Sequence, residues 1–137
     1  MDAIDTNILV YAFDTAYPNK RNVCKKIVSD IFAGEKSGAV TNQILAEFSS
    51  AVTAKIEKPL KKADAAAIVG SILASENWTV FDYTGEMVLQ ALKSENPFWD
   101  ALIVQTLKKN NVDKIITENT KDFKGSGLTI ENPLIFS

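Results

Sequence analysis

Short apolar runs alternate with longer amphipathic stretches along this chain, and that alternation is the strongest constraint on its fold. Residues 1–4, 38–40, 78–81, 114–116 and 128–130 read as strands. Helical periodicity fills the gaps, over 7–14, 20–32, 43–55, 61–74, 84–93 and 97–109. In the second of these, Val23, Ile27, Ile31 and Phe32 share a face. Thr41-Asn42 is a good helix cap, and Asn96-Pro97 reads as a cap followed by proline at the first helical position. Strands that alternate with helices predict an α/β chain with a parallel sheet covered on both faces. No repeat, low-complexity segment or long linker interrupts the pattern, so residues 1–137 read as one domain. In such sheets ligands bind beyond the carboxyl ends of the strands, and function is expected just after each strand.

Composition narrows the chemistry. The chain is 46% hydrophobic, enough for a core without disulfides or a structural metal. Its 15 basic residues include a single arginine, Arg21, against 17 acidic residues, for a net charge of −2. That argues against holding nucleic acid by bulk charge alone. There is no histidine, which excludes Ser-His-Asp and Cys-His catalysis and His-ligated zinc. Cys24 is the only cysteine, which suits a reducing compartment. Asp2, Asp5 and Asp14 interrupt the N-terminal apolar run, so no signal peptide is visible. No stretch approaches the roughly 20 apolar residues that span a bilayer. A soluble, cytoplasmic protein with no membrane partner is expected, its chemistry drawn from carboxylates, hydroxyls, lysines or a metal held by oxygen.

Several carboxylates stand where burial makes them costly. Asp5 directly follows the first strand, in Asp5-Thr6-Asn7. It reads equally as a helix cap, a duty that Thr6 or Asn7 could also perform. Asp100 is the fourth residue of a helix capped by Asn96, with Ile103, Val104 and Leu107 on its own face. A carboxylate there needs a cation, a proton or fixed donors, because an unpaired buried charge costs several kcal/mol. A buried pair with a lysine is the bland alternative. Glu47 sits at the edge of the face formed by Ile44, Leu45, Phe48 and Val52, where most glutamates are solvated. Beyond the strand at 114–116 lies Thr117-Glu118-Asn119-Thr120-Lys121-Asp122-Phe123, in which Glu118 and Asp122 compete for an acidic role. Carboxylates gathered at strand ends cannot all stay ionised without a counter-ion. Hard divalent cations take such oxygen ligands, which makes the physical case for metal-assisted phosphodiester chemistry.

These residues resemble a known family. Ile4-Asp5-Thr6-Asn7-Ile8-Leu9-Val10-Tyr11, Asn42-Gln43-Ile44-Leu45-Ala46-Glu47-Phe48, Phe98-Trp99-Asp100-Ala101-Leu102-Ile103 and 116–123 with Glu131-Asn132-Pro133 are similar, in order and spacing, to the motifs of the PIN domain nucleases. Within that family the chain looks most like the VapC-type toxins of toxin–antitoxin pairs. The resemblance implies a three-layer α/β/α sandwich with a central, mainly parallel sheet. It implies Mg²⁺- or Mn²⁺-dependent cleavage of RNA, an antitoxin protein partner and a homodimer. Asp5, Glu47 and Asp100 match the family's acidic positions. The fourth position is filled by Asp122, with Asn119 and Glu118 as rivals for it. Thr6, Asn7, Thr117 and Asn119 match supporting polar positions. Lys20-Arg21, Lys25-Lys26, Lys55, Lys61-Lys62 and Lys108-Lys109 are candidates for a basic rim, though solvated helix faces explain most of them.

Two other classes compete. One is a non-catalytic PIN-like domain that binds RNA or protein, disfavoured by the intact Asp5, Glu47 and Asp100. The other is a receiver-like or phosphatase-like phosphoryl-transfer domain. A haloacid-dehalogenase-type phosphatase wants a second aspartate two residues after the first, where this chain has Asn7. A receiver wants an acidic pair and a phosphoacceptor aspartate after a middle strand, and none follows Val40.

Overall fold

The computed structural model describes residues 1–135. Five strands, β1 (Asp2–Ile4), β2 (Gly38–Thr41), β3 (Trp78–Phe81), β4 (Lys114–Ile116) and β5 (Thr129–Glu131), form one sheet in the order β3-β2-β1-β4-β5. Every pairing is parallel. The helices are α1 (Thr6–Tyr11), α2 (Pro18–Phe32), α3 (Asn42–Ala54), α4 (Lys62–Ala74), α5 (Gly85–Leu92) and α6 (Phe98–Lys109). A single 3-10 turn covers Thr120–Phe123.

Connection handedness sorts the helices into layers. The crossovers β1–α1–α2–β2 and β2–α3–α4–β3 move outward in one direction along the sheet. The crossover β3–α5–α6–β4 returns past β1 in the other. Right-handed crossovers therefore place α1–α4 on one face and α5–α6 on the opposite one. The packing agrees: α1 meets α2 and α3, α3 meets α4, and α5 meets α6. The result is the three-layer α/β/α sandwich. The strand order reverses between β1 and β4, which makes that crevice the switch point where ligands are expected.

β2 is buried at all four positions, as a central strand of a doubly covered sheet should be. Gly38 is required there, since a Cβ would stand 2.7 Å from Ile31 Cδ1. Thr41 caps α3, its Oγ1 accepting the Ile44 N–H at 3.1 Å. α3 then buries Ile44, Leu45, Phe48 and Val52, the face anticipated from sequence. The buried stripe of α2 is rotated from the expected one: Cys24, Val28 and Ile31 are buried, while Val23, Ile27 and Phe32 are only half-buried. The helix begins earlier, at Pro18, and packs on α1 as well as the sheet, so both flanks carry apolar residues.

The start of α6 differs from the sequence reading. Pro97 occupies the cap position and no side chain caps the helix. Asn96 instead donates through Nδ2 to the carbonyls of Asp122 (3.2 Å) and Lys124 (3.0 Å). Proline tolerates this because it has no N–H to satisfy. Asp100 is thus the third helical residue, and Asn96 is free to tie the 3-10 turn to the mouth of α6. Among the described residues, no helix is long and apolar enough to cross a membrane.

Phe48 is fully buried and meets Phe13 edge-on at 5.8 Å between ring centroids. Phe48→Ala is expected to cost about 3–5 kcal/mol of unfolding free energy. Urea denaturation at fixed pH reads this directly as a lower midpoint.

Candidate active site

Asp5 is the first residue beyond β1, and its backbone continues the sheet: its N–H donates to the Ile116 carbonyl at 3.0 Å. The β1–β4 register pairs Ile4 with Ile116, so Asp5 and Thr117 emerge side by side at the switch point. Asp5 is 4% exposed and Thr117 is fully buried. The Thr117 hydroxyl donates to Asp5 Oδ2 at 2.7 Å. Asn7 Nδ2 donates to the same oxygen and to Thr117 Oγ1, each at 3.2 Å. The Thr6 N–H donates to Asp5 Oδ1 at 2.8 Å, so Asp5 also caps α1. Asn7 Oδ1 accepts the Glu118 N–H at 3.1 Å, which fixes which end of the amide faces the carboxylate. The Asn119 N–H completes the cluster by donating to Thr117 Oγ1 at 3.0 Å. All four supporting residues expected from sequence, Thr6, Asn7, Thr117 and Asn119, therefore lie at or beside Asp5.

Glu47 reaches the same region from α3. The Thr6 hydroxyl donates to its Oε1 at 3.2 Å, and Gln43, one turn earlier, donates through Nε2 at 3.4 Å. Asp100 projects from the first turn of α6. Asp5, Glu47 and Asp100 line one cavity of about 660 Å³, together with Thr6, Asn7 and Asn119. Three crossovers thus bring carboxylates to this cavity, which Asp14 and Glu57 also line.

The electrostatics carry the mark of crowded like charge. Burial raises the carboxyl pKa of Asp100 to about 6, with the charges of Asp5, Asp122 and Glu47 adding to it. Burial likewise raises Asp5, although the bonds from Thr117, Thr6 and Asn7 oppose it. Burial raises Glu47 too, offset in part by Thr6 and reinforced by Asp5.

The two acidic rivals beyond β4 part company. Glu118 is drawn aside into an ion pair with Lys20 at 2.8 Å and accepts the Tyr11 hydroxyl at 2.8 Å. Burial works to raise its pKa, but these two partners outweigh it and hold the carboxyl below its usual range. Asp122 lies on the 3-10 turn, and its carboxylate accepts no hydrogen bond among the described residues. It stands near enough to raise both Asp5 and Asp100 by charge. It does not itself line the cavity, whereas Asn119 does.

Among the described residues, no three acidic, Cys or His side chains are gathered tightly enough to grip a metal by themselves. The donor set nevertheless fits a hard divalent cation. It is all oxygen, it lacks a competing lysine in hydrogen-bond contact, and it carries excess negative charge. Mg²⁺ in particular takes one or two carboxylates and keeps several waters.

Of the basic residues considered for a rim, only Lys55 lines the cavity. Lys20 is paired with Glu118, Lys26 with Asp30, and Lys108 donates to the Ser126 carbonyl. Sequence reasoning overlooked Gln43 and the Tyr11–Lys20–Glu118 trio. The i, i+4 spacing of Gln43 and Glu47 was the available signal for the first. The trio joins residues too far apart in sequence to be seen.

At the level of sequence, neither a protein-family model nor a curated protein matches the chain. Solved structures do. A toxin–antitoxin complex from Klebsiella pneumoniae superposes with a TM-score of 0.68 at 18% identity, covering 99% of this chain and 100% of the other. VapBC2 from Rickettsia felis, bound to a DNA fragment from its promoter, gives 0.62 at 20% identity, covering 96% and 97%. VapC20 from Mycobacterium tuberculosis, a toxin that cleaves the sarcin–ricin loop, gives 0.60 at 15% identity, covering 84% and 87%. The fold is PIN-like. In this PIN-like frame the all-parallel sheet and its end-to-end coverage agree with the architecture expected from sequence.

The raised carboxyl of Asp100 makes stability depend on pH with a definite sign. Between the ordinary value of 3.8 and about 6, the folded protein holds a proton that the unfolded chain has released. Stability of the metal-free protein therefore falls as pH rises through that window. Asp100→Asn removes the repulsion and is expected to melt higher than wild type near pH 7.5 in chelator. Near pH 4.5, low in that window, the gap between the two melting temperatures should be much smaller, as thermal scans at both pH values will show.

Proposed function

We propose that this protein is a metal-dependent endoribonuclease and the toxin of a toxin–antitoxin pair. One observation carries the reading: Asp5, Glu47 and Asp100, brought from three separate crossovers, share a cavity in which their charges repel. Such an arrangement is costly for stability and is characteristic of functional sites. The PIN-like fold supports the same reading, as does its likeness to toxins that include an RNA-cleaving one. An antitoxin protein, a second copy of the chain and a cytoplasmic setting belong to the proposal on the same grounds.

Asp5 and Asp100 are the residues proposed to hold Mg²⁺ or Mn²⁺, with Glu47 and Asp122 completing the set or orienting its waters. Bound there, the cation supplies a lowered pKa for water and a counter-charge for the phosphate. The chain's own groups do the positioning. Thr117, Asn7 and the Thr6 N–H fix the Asp5 carboxylate so that it cannot rotate away. Thr6 and Gln43 restrain Glu47 at one oxygen, leaving the other to accept a proton or a water hydrogen bond. Asp100, raised in the metal-free site, must give up its proton to hold a cation, so cation binding and proton release are linked there. No histidine is needed. Attack by water, not by the ribose 2′-hydroxyl, leaves 5′-phosphate and 3′-hydroxyl ends.

Asp100→Asn is expected to abolish cleavage of a total-RNA pool by the purified, antitoxin-free protein, while the variant stays folded. Chelator should abolish wild-type cleavage in the same way, and sequencing of the new ends should show 5′-phosphates. Cleavage by Asp100→Asn at the wild-type rate refutes the site, and ends bearing 2′,3′-cyclic phosphate refute the mechanism.

A further inference from the structure

Beside the acidic cavity lies a second one of about 650 Å³ that shares Thr6, Glu47 and Lys55 with it. Its wall is completed in part by Asn42, Gln43, Tyr83 and Trp99. Trp99 is 59% exposed and Tyr83 is 39% exposed, and neither belongs to the hydrophobic core. Uncovered aromatic rings on a folded domain mark contact surfaces more often than chance.

The backbones of these two residues are nonetheless firmly held. Gln43 Nε2 donates to the Trp99 carbonyl at 3.0 Å. Asn42 Oδ1 accepts the N–H of Tyr83 at 3.1 Å and that of Gln43 at 2.9 Å. Both aromatic residues are thereby tied to the first turn of α3, the helix that carries Glu47. Phe98 supports Trp99 edge-on at 5.1 Å between ring centroids. Trp99 also immediately precedes Asp100 in the first turn of α6, which couples its position to that of a carboxylate at the site. Gln43 Oε1 is buried with no donor among the described residues. An orphaned acceptor of this kind is costly, and the amino group of a base is a donor that would relieve it.

From this juxtaposition we infer that the second cavity is a stacking subsite for an unpaired nucleobase, next to the phosphate held at the acidic site. Trp99 is the platform and Tyr83 the second aromatic wall. The inference rests on the ribonuclease reading and deepens it. A single strand of RNA is the occupant because the two cavities adjoin, sharing Thr6, Glu47, Ala51 and Lys55 in their walls, so a chain lying across both carries a phosphate in one and a flanking group in the other. Bases splayed from a strand stack on aromatic rings, and the polar Asn42–Gln43 wall meets their edges. Lys55 is common to both cavities and offers a cation to the connecting phosphodiester. Selection of RNA by this protein is then partly a matter of which base flanks the cut.

The test compares full-length wild type, Trp99→Leu, Trp99→Phe and Tyr83→Leu on a total-RNA pool with Mn²⁺. Steady-state kinetics follow on a short oligonucleotide spanning the strongest cut. Stacking is worth about 1–3 kcal/mol per base, so Trp99→Leu should raise KM about tenfold with kcat within about twofold. The base preference at one position beside the cut should flatten, Tyr83→Leu should act in the same direction, and Trp99→Phe should restore most of the loss. Unchanged KM and unchanged preference in both leucine variants overturn the subsite and leave the nuclease reading standing. If wild type cuts no RNA, the nuclease reading fails by itself. The subsite is then judged by binding of a twelve-nucleotide oligouridylate carrying a central 2-aminopurine. Quenching that Trp99→Leu abolishes and Trp99→Phe retains supports the stacking site, and binding indifferent to residue 99, or no binding, overturns it.

Discussion

The 2.7 Å hydrogen bond from Thr117 to Asp5 closes the crevice between β1 and β4, and much of the site is arranged around it. Asp5 is nearly inaccessible to water, so its charge depends on donors supplied by the chain. Three converge on it, one hydroxyl, one amide and one backbone N–H. The donors come from both sides of the switch point, because Asp5 and Asn7 follow β1 while Thr117 follows β4. Register between those two strands is therefore also the alignment of the carboxylate. A slip of one residue would turn Asp5 and Thr117 to opposite faces.

Around that fixed charge the fold places further carboxylates, Glu47 and Asp100 among them, without a paired cation among the described residues. Lys55 is the one cation among the residues lining the cavity, and it makes no ion pair among the described residues. Burial is the first cause of the upward shift at Asp100, Asp5 and Glu47; neighbouring charges add to it at Asp100, while hydrogen bonds oppose it at Asp5 and Glu47. A chain selected for stability alone would place a lysine among them or replace one by an amide. The site keeps the repulsion instead, which is the arrangement that best rewards an arriving divalent cation.

Much of this was legible in the sequence, for physical reasons that differ between elements. The alternation of strands and helices determines a parallel sheet, and a parallel sheet directs attention to its strand ends, where Asp5 and Thr117 stand. Asp100 was visible because Ile103, Val104 and Leu107 share its helical face. Those three are buried while Asp100 faces the cavity that Ile103 also lines. The role of Asn96 was not legible. As a polar residue before Pro97 it has the appearance of a cap, and its bonds to the carbonyls of Asp122 and Lys124 depend on a segment 26 and 28 residues away. The stripe of α2 was misjudged because a helix that packs on both a sheet and another helix hides more than one face. Gln43 was passed over because a glutamine in the first turn of a helix is ordinarily solvated, and only the proximity of α6 buries it.

The choice between Glu118 and Asp122 shows most clearly what local sequence leaves open. Both are acidic, both follow β4, and only three residues stand between them. What separates them is the company kept by α1 and α2. Lys20 and Tyr11 converge on Glu118, one donor to each oxygen, with the Lys20 ammonium also 4.8 Å from the centre of the Tyr11 ring. A carboxylate so engaged is expensive to recruit, since any competing ligand must first break a charge-assisted pair. Asp122 has no such partner, and Asn96 holds its backbone against the mouth of α6, close enough for its charge to be felt at Asp5 and Asp100. The fold thus neutralises one carboxylate and leaves the other without a partner among the described residues, although Asn119 and not Asp122 lines the cavity.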